Sequence, residues 1–161
     1  MRLVTAVLVF LLAFVAVGYA QNADGVPIEI KNGKKLILTE NSTHDEIQKA
    51  LGKILKSEMP SILTAERIQY DFQAVEGQAP LTLCFDFDAH GKLTGLLIDA
   101  YMKDQNPTAQ LLKQWLEKHV GEGKKVGAGL QWSHAGYLFL FTAGGSGEDS
   151  NYGFRITRDK K

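Results

Sequence analysis

Leu81-Thr82-Leu83-Cys84-Phe85-Asp86-Phe87-Asp88 is the stretch on which the reading of this chain turns. Leu81, Leu83, Phe85 and Phe87 fall at every second position, with Thr82, Cys84, Asp86 and Asp88 between them. Side chains alternate across a strand, so the pattern predicts one face in a core and one face turned out. Immediately upstream, Arg67 to Val75 repeats it: Ile68, Tyr70 and Phe72 point one way, and Arg67, Gln69, Asp71 and Gln73 the other. Glu76-Gly77-Gln78-Ala79-Pro80 turns the chain between these two strands. Downstream, Ala89-His90-Gly91 is a tight loop with glycine where a left-handed residue is needed. Lys92 to Tyr101 follows, apolar on both faces, which predicts a strand central in its sheet.

Helical periodicity flanks this meander. Before it, Ser42-Thr43-His44-Asp45-Glu46 offers two hydroxyl residues able to cap a helix and two acids suited to its positive end. Ile47, Leu51, Ile54 and Leu55 then form one apolar stripe, and Pro60 stops any continuation. After it, Asn106-Pro107-Thr108 opens a second helix, for which Leu111, Leu112, Trp115, Leu116 and Val120 are the expected buried stripe. Gly121 or Gly123 ends that helix. Ala128 to Ser133, Tyr137 to Ala143 and Tyr152 to Thr157 read as three more strands. Their turns are Ser133-His134-Ala135-Gly136 and the longer, glycine-rich Gly144 to Asn151. Ahead of everything, Val26 to Lys31 and Lys34 to Thr39 flank Asn32-Gly33, the signature of a type I′ hairpin.

The second half thus repeats the first in pattern. Setting Thr43 against Thr108 aligns Ile47 with Leu112 and Leu51 with Leu116, and the Tyr70 strand then matches the Trp132 strand. On this reading His90 and His134 sit at comparable turns. Two helix-plus-three-strand units, residues 42–101 and 107–158, predict an α+β domain in which one antiparallel sheet carries its helices on one face. The hairpin is an addition to that plan.

One part of the pattern resembles a known family. Thr43-x-x-Glu46-Ile47-x-x-x-Leu51-Gly52-Lys53, an aromatic strand, and then Phe85-Asp86-Phe87-Asp88-x-x-Gly91-Lys92 are similar to the helix-plus-meander unit of the small outer-membrane assembly lipoproteins. The β-lactamase inhibitory proteins use two such units in tandem. The resemblance covers residues 42–100 and implies a curved sheet, backed by helices, whose other face grips a protein. This chain lacks the lipid-attachment cysteine of the first group and the two disulfides of the second, and no site residue carries over.

Residues 1–20 carry a different message. Met1-Arg2 is a short positive start, Leu3 to Val17 is apolar apart from Thr5, and Gly18-Tyr19-Ala20 offers small residues where a signal peptidase reads. This order predicts a cleaved export signal, a periplasmic or secreted location, and a single domain over residues 21–161. The apolar run is shorter than the ~20 residues that a spanning helix needs, so no stable membrane insertion is expected after cleavage. Gln21 stands where a lipid anchor would need cysteine. Loss of Arg2 leaves 17 basic against 18 acidic side chains, a balance that gives nucleic acid no reason to bind. With Cys84 alone, an exported chain has no internal disulfide and is held by packing.

Catalytic patterns are not assembled by this sequence, and the reading is of a protein that is not an enzyme. Cys84 would need a base in contact, whereas His90 lies about six residues away, or ~20 Å along an extended strand. His44, His90, His119 and His134 are scattered over caps and turns without zinc spacing, so neither a metal nor a cofactor is expected. Gly144-Gly145-Ser146-Gly147 is followed by Glu148-Asp149 and a strand, opposite to what a phosphate loop requires. What remains is the outward face of the sheet. Asp71, Asp86 and Asp88 would lie there beside Arg67, Gln69, Gln73 and Arg155, and one alternate set of Tyr137 to Phe141 should join them. Tyr137 and Phe139 are the anchors expected from that set. Acidic groups around apolar anchors are a reasonable surface for another protein, as in an inhibitor, an immunity protein or an envelope assembly factor. A carrier of a small apolar ligand between sheet and helices is the alternative, and a hydrolase a weaker one.

Overall fold

The computed structural model describes residues 25–77, 80–101, 106–144 and 151–159. The expected signal segment, the middle of the Gly144 to Asn151 turn and part of the Glu76 to Pro80 turn lie outside them. The protein is α+β, and its described residues form two helices, a two-stranded antiparallel sheet and an eight-stranded antiparallel sheet.

The hairpin comes first. Strands β1 (Val26–Lys31) and β2 (Lys34–Leu38) pair across Asn32 and Gly33, whose φ angles of 54° and 74° are those a type I′ turn demands. Val26, Ile28, Ile30, Leu36 and Leu38 are buried, while Pro27, Glu29, Lys35 and Ile37 point away from the core. Helix α1 (His44–Ile54) follows. The Glu46 carboxylate accepts from both the backbone N–H and the hydroxyl of Thr43, which fixes the start. Ile47, Leu51 and the C-cap Leu55 are buried.

Four strands then form half of the large sheet: β3 (Ile62–Leu63), β4 (Arg67–Phe72), β5 (Leu81–Phe87) and β6 (Leu93–Tyr101). Helix α2 (Pro107–His119) opens with Asn106 as N-cap, its side-chain oxygen accepting from Ala109 N–H, and with proline in the first turn. The remaining four strands are β7 (Lys124–Val126), β8 (Gly129–His134), β9 (Tyr137–Gly144) and β10 (Asn151–Arg158). Two- and three-residue strands are too short to show a period, so β3 and β7 carry no signal in the sequence. Each half is therefore a helix and four strands, not three.

The order across the sheet is β3-β4-β5-β6-β10-β9-β8-β7, so the halves join through their last strands. Leu97 on β6 lies opposite Arg155 on β10. One row runs the width of the sheet through Ile62, Gln69, Cys84, Leu97, Arg155, Leu140, Gln131 and Lys124. Counting outward from its centre pairs Cys84 with Leu140 and Gln69 with Gln131, while Gly95 and Gly153 take equivalent places on β6 and β10. The halves are thus related by an approximate twofold passing between Leu97 and Arg155. Under it the Asp88–Gly91 turn, which holds His90, corresponds to the β9–β10 connection. His134 closes β8 instead, so the two histidines are not equivalent.

One core lies on one side of the large sheet. It gathers Ile68, Tyr70, Phe72, Leu83, Phe85, Leu96, Ile98, Trp132, Tyr137, Phe139, Phe154 and Ile156 with Ile47 and Leu51 of α1 and Leu112 and Leu116 of α2. The hairpin shares the helical layer, β2 beside α1 and β1 beside α2. The buried stripe of α2 is narrower than its apolar positions suggest. Thr108, Ala109, Leu112 and Leu116 are buried, Trp115 is half-buried, and Leu111 and Val120 stand exposed, contrary to the sequence expectation. Tyr137 donates to Thr39 O at 3.0 Å and Arg158 to Glu40 O at 2.8 Å, tying the second half to the link between hairpin and α1. Among the described residues no helix is long and apolar enough to cross a membrane.

Candidate functional site on the open sheet face

The side of the large sheet away from the helical layer carries the alternate residues of every strand. Arg67, Gln69 and Asp71 come from β4, Thr82, Cys84 and Asp86 from β5, and Gly95, Leu97 and Asp99 from β6. Gly153, Arg155 and Thr157 come from β10, Leu138, Leu140 and Thr142 from β9, and Gln131 and Ser133 from β8.

Three of the five residues expected at the site are not on the open face, two of them buried and one in a surface turn. Tyr137 and Phe139 are both 0 % exposed and face the helical layer. The sequence holds the signal that decides this: Gln131 and Ser133 mark Leu130 and Trp132 as the inward set of β8. Ala135 and Gly136, at φ 49° and 76°, form the two-residue turn, so Trp132 lies opposite Phe139 on the same side. The set of β9 that reaches the open face is Leu138 and Leu140, both half-buried. Asp88 stands beyond the end of β5 and belongs to a turn. Its Oδ1 accepts from the backbone N–H groups of His90 and Lys92, each at 2.9 Å, and the Lys92 bond leads in holding its pKa below the ordinary carboxylate value.

Asp71 and Asp86 are on the face, and neighbours already hold both. Ser61 and Thr82 hydroxyls donate to the two Asp71 oxygens at 2.6 Å each, and Gln69 adds a third bond at 3.0 Å. Those hydroxyl bonds lower the pKa of Asp71 against the opposing pull of partial burial. Arg67 Nε donates to Asp86 Oδ1 at 2.7 Å, which raises the Arg67 pKa. This pair is open to water, so its contribution to stability is small. Thr94 donates to the Asp86 backbone carbonyl.

Cys84 sits between these groups, 7 % exposed, in the row with Gln69 and Leu97. Burial raises the pKa of its thiol and the Asp86 carboxylate raises it further. A protonated thiol is a poor nucleophile and a poor metal ligand. Among the described residues no group of three His, Cys, Asp or Glu is placed to hold a metal ion.

Beyond Cys84 the face changes character. Leu97, Leu138 and Leu140 form an aliphatic strip around Arg155, an exposed cation with no ion pair or hydrogen-bond partner among the described residues. Beside it lies a shallow depression of about 360 Å³, lined by Arg67, Cys84, Asp86, Leu97, Arg155 and Thr157 among others. Gly95 is the cause: having no side chain, it leaves a gap in the row between Asp86 and Thr157. Asp99 flanks the strip, its carboxylate lying across Gly153. Leu97, Leu138, Leu140 and Asp99 are among the face residues that the sequence reading missed.

Comparison with known proteins adds little to this geometry. No family model and no curated protein matches the sequence. Among solved structures, the chain is similar to that of a DUF4309 family protein, YjgB, from Bacillus subtilis. The match has 11 % identity and a TM-score of 0.42, and it covers 75 % of this chain and 81 % of that one.

Proposed function

We propose that this is an exported, non-enzymatic domain that binds another protein through the open face of its large sheet. The observation that carries this reading is the aliphatic strip of Leu97, Leu138 and Leu140 around Arg155, on the face of the sheet opposite helices α1 and α2. Arginine is enriched among the residues that dominate protein interfaces, and the core of such an interface is more apolar than its rim. The resemblance of residues 42–100 to envelope assembly and inhibitory proteins supports the same class of activity, and the N-terminal charge-apolar-small pattern supports export. A carrier role is disfavoured by the core, where Phe85, Phe139, Phe154 and Tyr137 fill the space between the layers. Cys84 supports no catalytic role, because its surroundings favour the thiol over the thiolate.

Site-specific photocrosslinking in cells that make the protein tests this. A crosslinker at Leu140 should yield a discrete protein adduct, and one at Gln114 on the exposed side of α2 should not. Equal adducts from both positions, or none from Leu140, would overturn the reading. N-terminal sequencing of the cell-free protein should begin at Gln21, and an intact Met1 would remove the export half of it.

A further inference from the structure

The open face also specifies the chemistry of what it binds, and this step rests on the protein-binding reading above. Arg155 lies beside the approximate twofold, opposite Leu97 on one side and Leu140 on the other. Arg67, the other cation of this region, is already held by Asp86. Arg155 has no such partner among the described residues, although the Asp99 carboxylate is on the same face. Covering Arg155 with a purely apolar partner would strip water from an unpaired charge, which is costly. Covering it with a carboxylate replaces that water by a charge-assisted, bidentate pair, stronger inside an aliphatic surround than in water. Nucleic acid and anionic membrane fit poorly, because Asp71, Asp86 and Asp99 stand on the same face and would repel a continuous array of negative charge. The complement is one carboxylate set among apolar groups.

We propose that the centre of the face receives a protein segment in which a single Asp or Glu is flanked by aliphatic residues. The carboxylate pairs with Arg155, and the aliphatic side chains rest on Leu97, Leu138 and Leu140.

Random twelve-residue peptides displayed on phage and panned against the full chain supply the probe. The expected result is enrichment of Asp or Glu between aliphatic residues. Arg155→Gln should weaken a selected peptide at least about tenfold, the loss of one charge-assisted pair. Arg155→Glu should turn the selection toward Lys or Arg. Arg155 is exposed, so far-UV circular dichroism should confirm that both variants fold as the parent does. Selected peptides that lose binding on Leu140→Lys but not on Arg155→Gln would overturn the carboxylate assignment and leave the face as the binding site. Peptides indifferent to both changes, or no enrichment at all, would count against the assignment and the face together. A dimer in sedimentation that Arg155→Glu dissolves would replace the acidic segment with a second copy of this chain.

Discussion

The two halves of the large sheet share a plan and differ in what their outward side chains do. In the first half, Asp71 accepts from Ser61, Gln69 and Thr82, and Asp86 is paired with Arg67, so these polar groups are engaged with one another. In the second, the equivalents of Cys84 and Thr82 are Leu140 and Leu138, and Arg155 at the junction has no partner among the described residues. Inward, the halves stay alike: Tyr70 corresponds to Trp132, Ile98 to Ile156, and Ile47 and Leu51 on α1 to Leu112 and Leu116 on α2. A buried position must keep an apolar side chain of suitable volume, whereas an outward one answers only to its neighbours and to what binds there. The difference teaches that the first half ties its outward charges to one another, and the junction with the second leaves the Arg155 cation available.

The largest expected effect concerns whether the halves are separable at all. They share one core through the β6–β10 pair, so damage in one should be felt in the other. Both tryptophans, Trp115 and Trp132, lie in the second half, which makes fluorescence a reporter for that half alone. Leu83 is fully buried in the first half. Leu83→Ala should lower the unfolding free energy by about 2–5 kcal/mol, and the tryptophan transition in urea should shift together with far-UV circular dichroism. A tryptophan midpoint that stays put while the circular dichroism transition moves would mean two folding units.

Legibility in the sequence follows the same division between inside and outside. Asn32-Gly33, the Thr43 cap with Glu46, and the alternation of β4 and β5 each have a local cause, and each appears where local chemistry places it. The paired stripes of α1 and α2 disclosed the duplication for the same reason. Tyr137 to Phe141 has no alternation to read, because both sets are apolar. Its facing is decided by pairing with Trp132, a relation between strands and not a property of the stretch. Asp88 looks like a surface charge until the turn closes on it, and Leu97 looks like one more core residue of a central strand. Position in the helical layer was equally hidden: nothing local to Val26–Leu38 says that the hairpin lies between the two helices, and nothing local to α2 says that Leu111 and Val120 stand exposed.

Gly95 and Gly153 sharpen the comparison, since they are equivalent by the twofold but not by surroundings. A Cβ at Gly153 would stand 2.5 Å from the Ile98 carbonyl oxygen, so the backbone of the neighbouring strand would have to move. At Gly95 the nearest atom is the Ile156 oxygen at 3.5 Å, an ordinary contact. Gly153→Ala should therefore cost about 1–3 kcal/mol, as overpacking does. Gly95→Ala should leave stability unchanged or raise it by up to about 1 kcal/mol, because alanine restricts the unfolded chain. It would also partly fill the depression beside Arg155. Thermal unfolding of the two variants side by side decides the matter, and equal losses would show that the strands close on both glycines alike.

The smallest effect separates the halves by pH. Asp71 has a depressed pKa in the folded protein because Ser61 and Thr82 donate to its ionised form. Such a group adds stability that is fully present above the unfolded carboxylate value of about 3.9 and is lost as pH falls through the lower, folded value. Ser133 holds the equivalent place in the second half and has no carboxyl to titrate; its hydroxyl donates to Asp159. Asp71→Asn should accordingly cost stability at pH 7 and cost less as the pH is taken below about 3.9. Solvent around this exposed group screens the effect, and the difference between the two conditions should not exceed about 1 kcal/mol. Urea midpoints of parent and variant at pH 7 and at low pH provide the measurement. Equal costs at both would mean that the Ser61–Asp71–Thr82 network orders the face without storing charge-dependent stability, leaving Asp71 no more committed to the ionised state than an unpaired surface carboxylate.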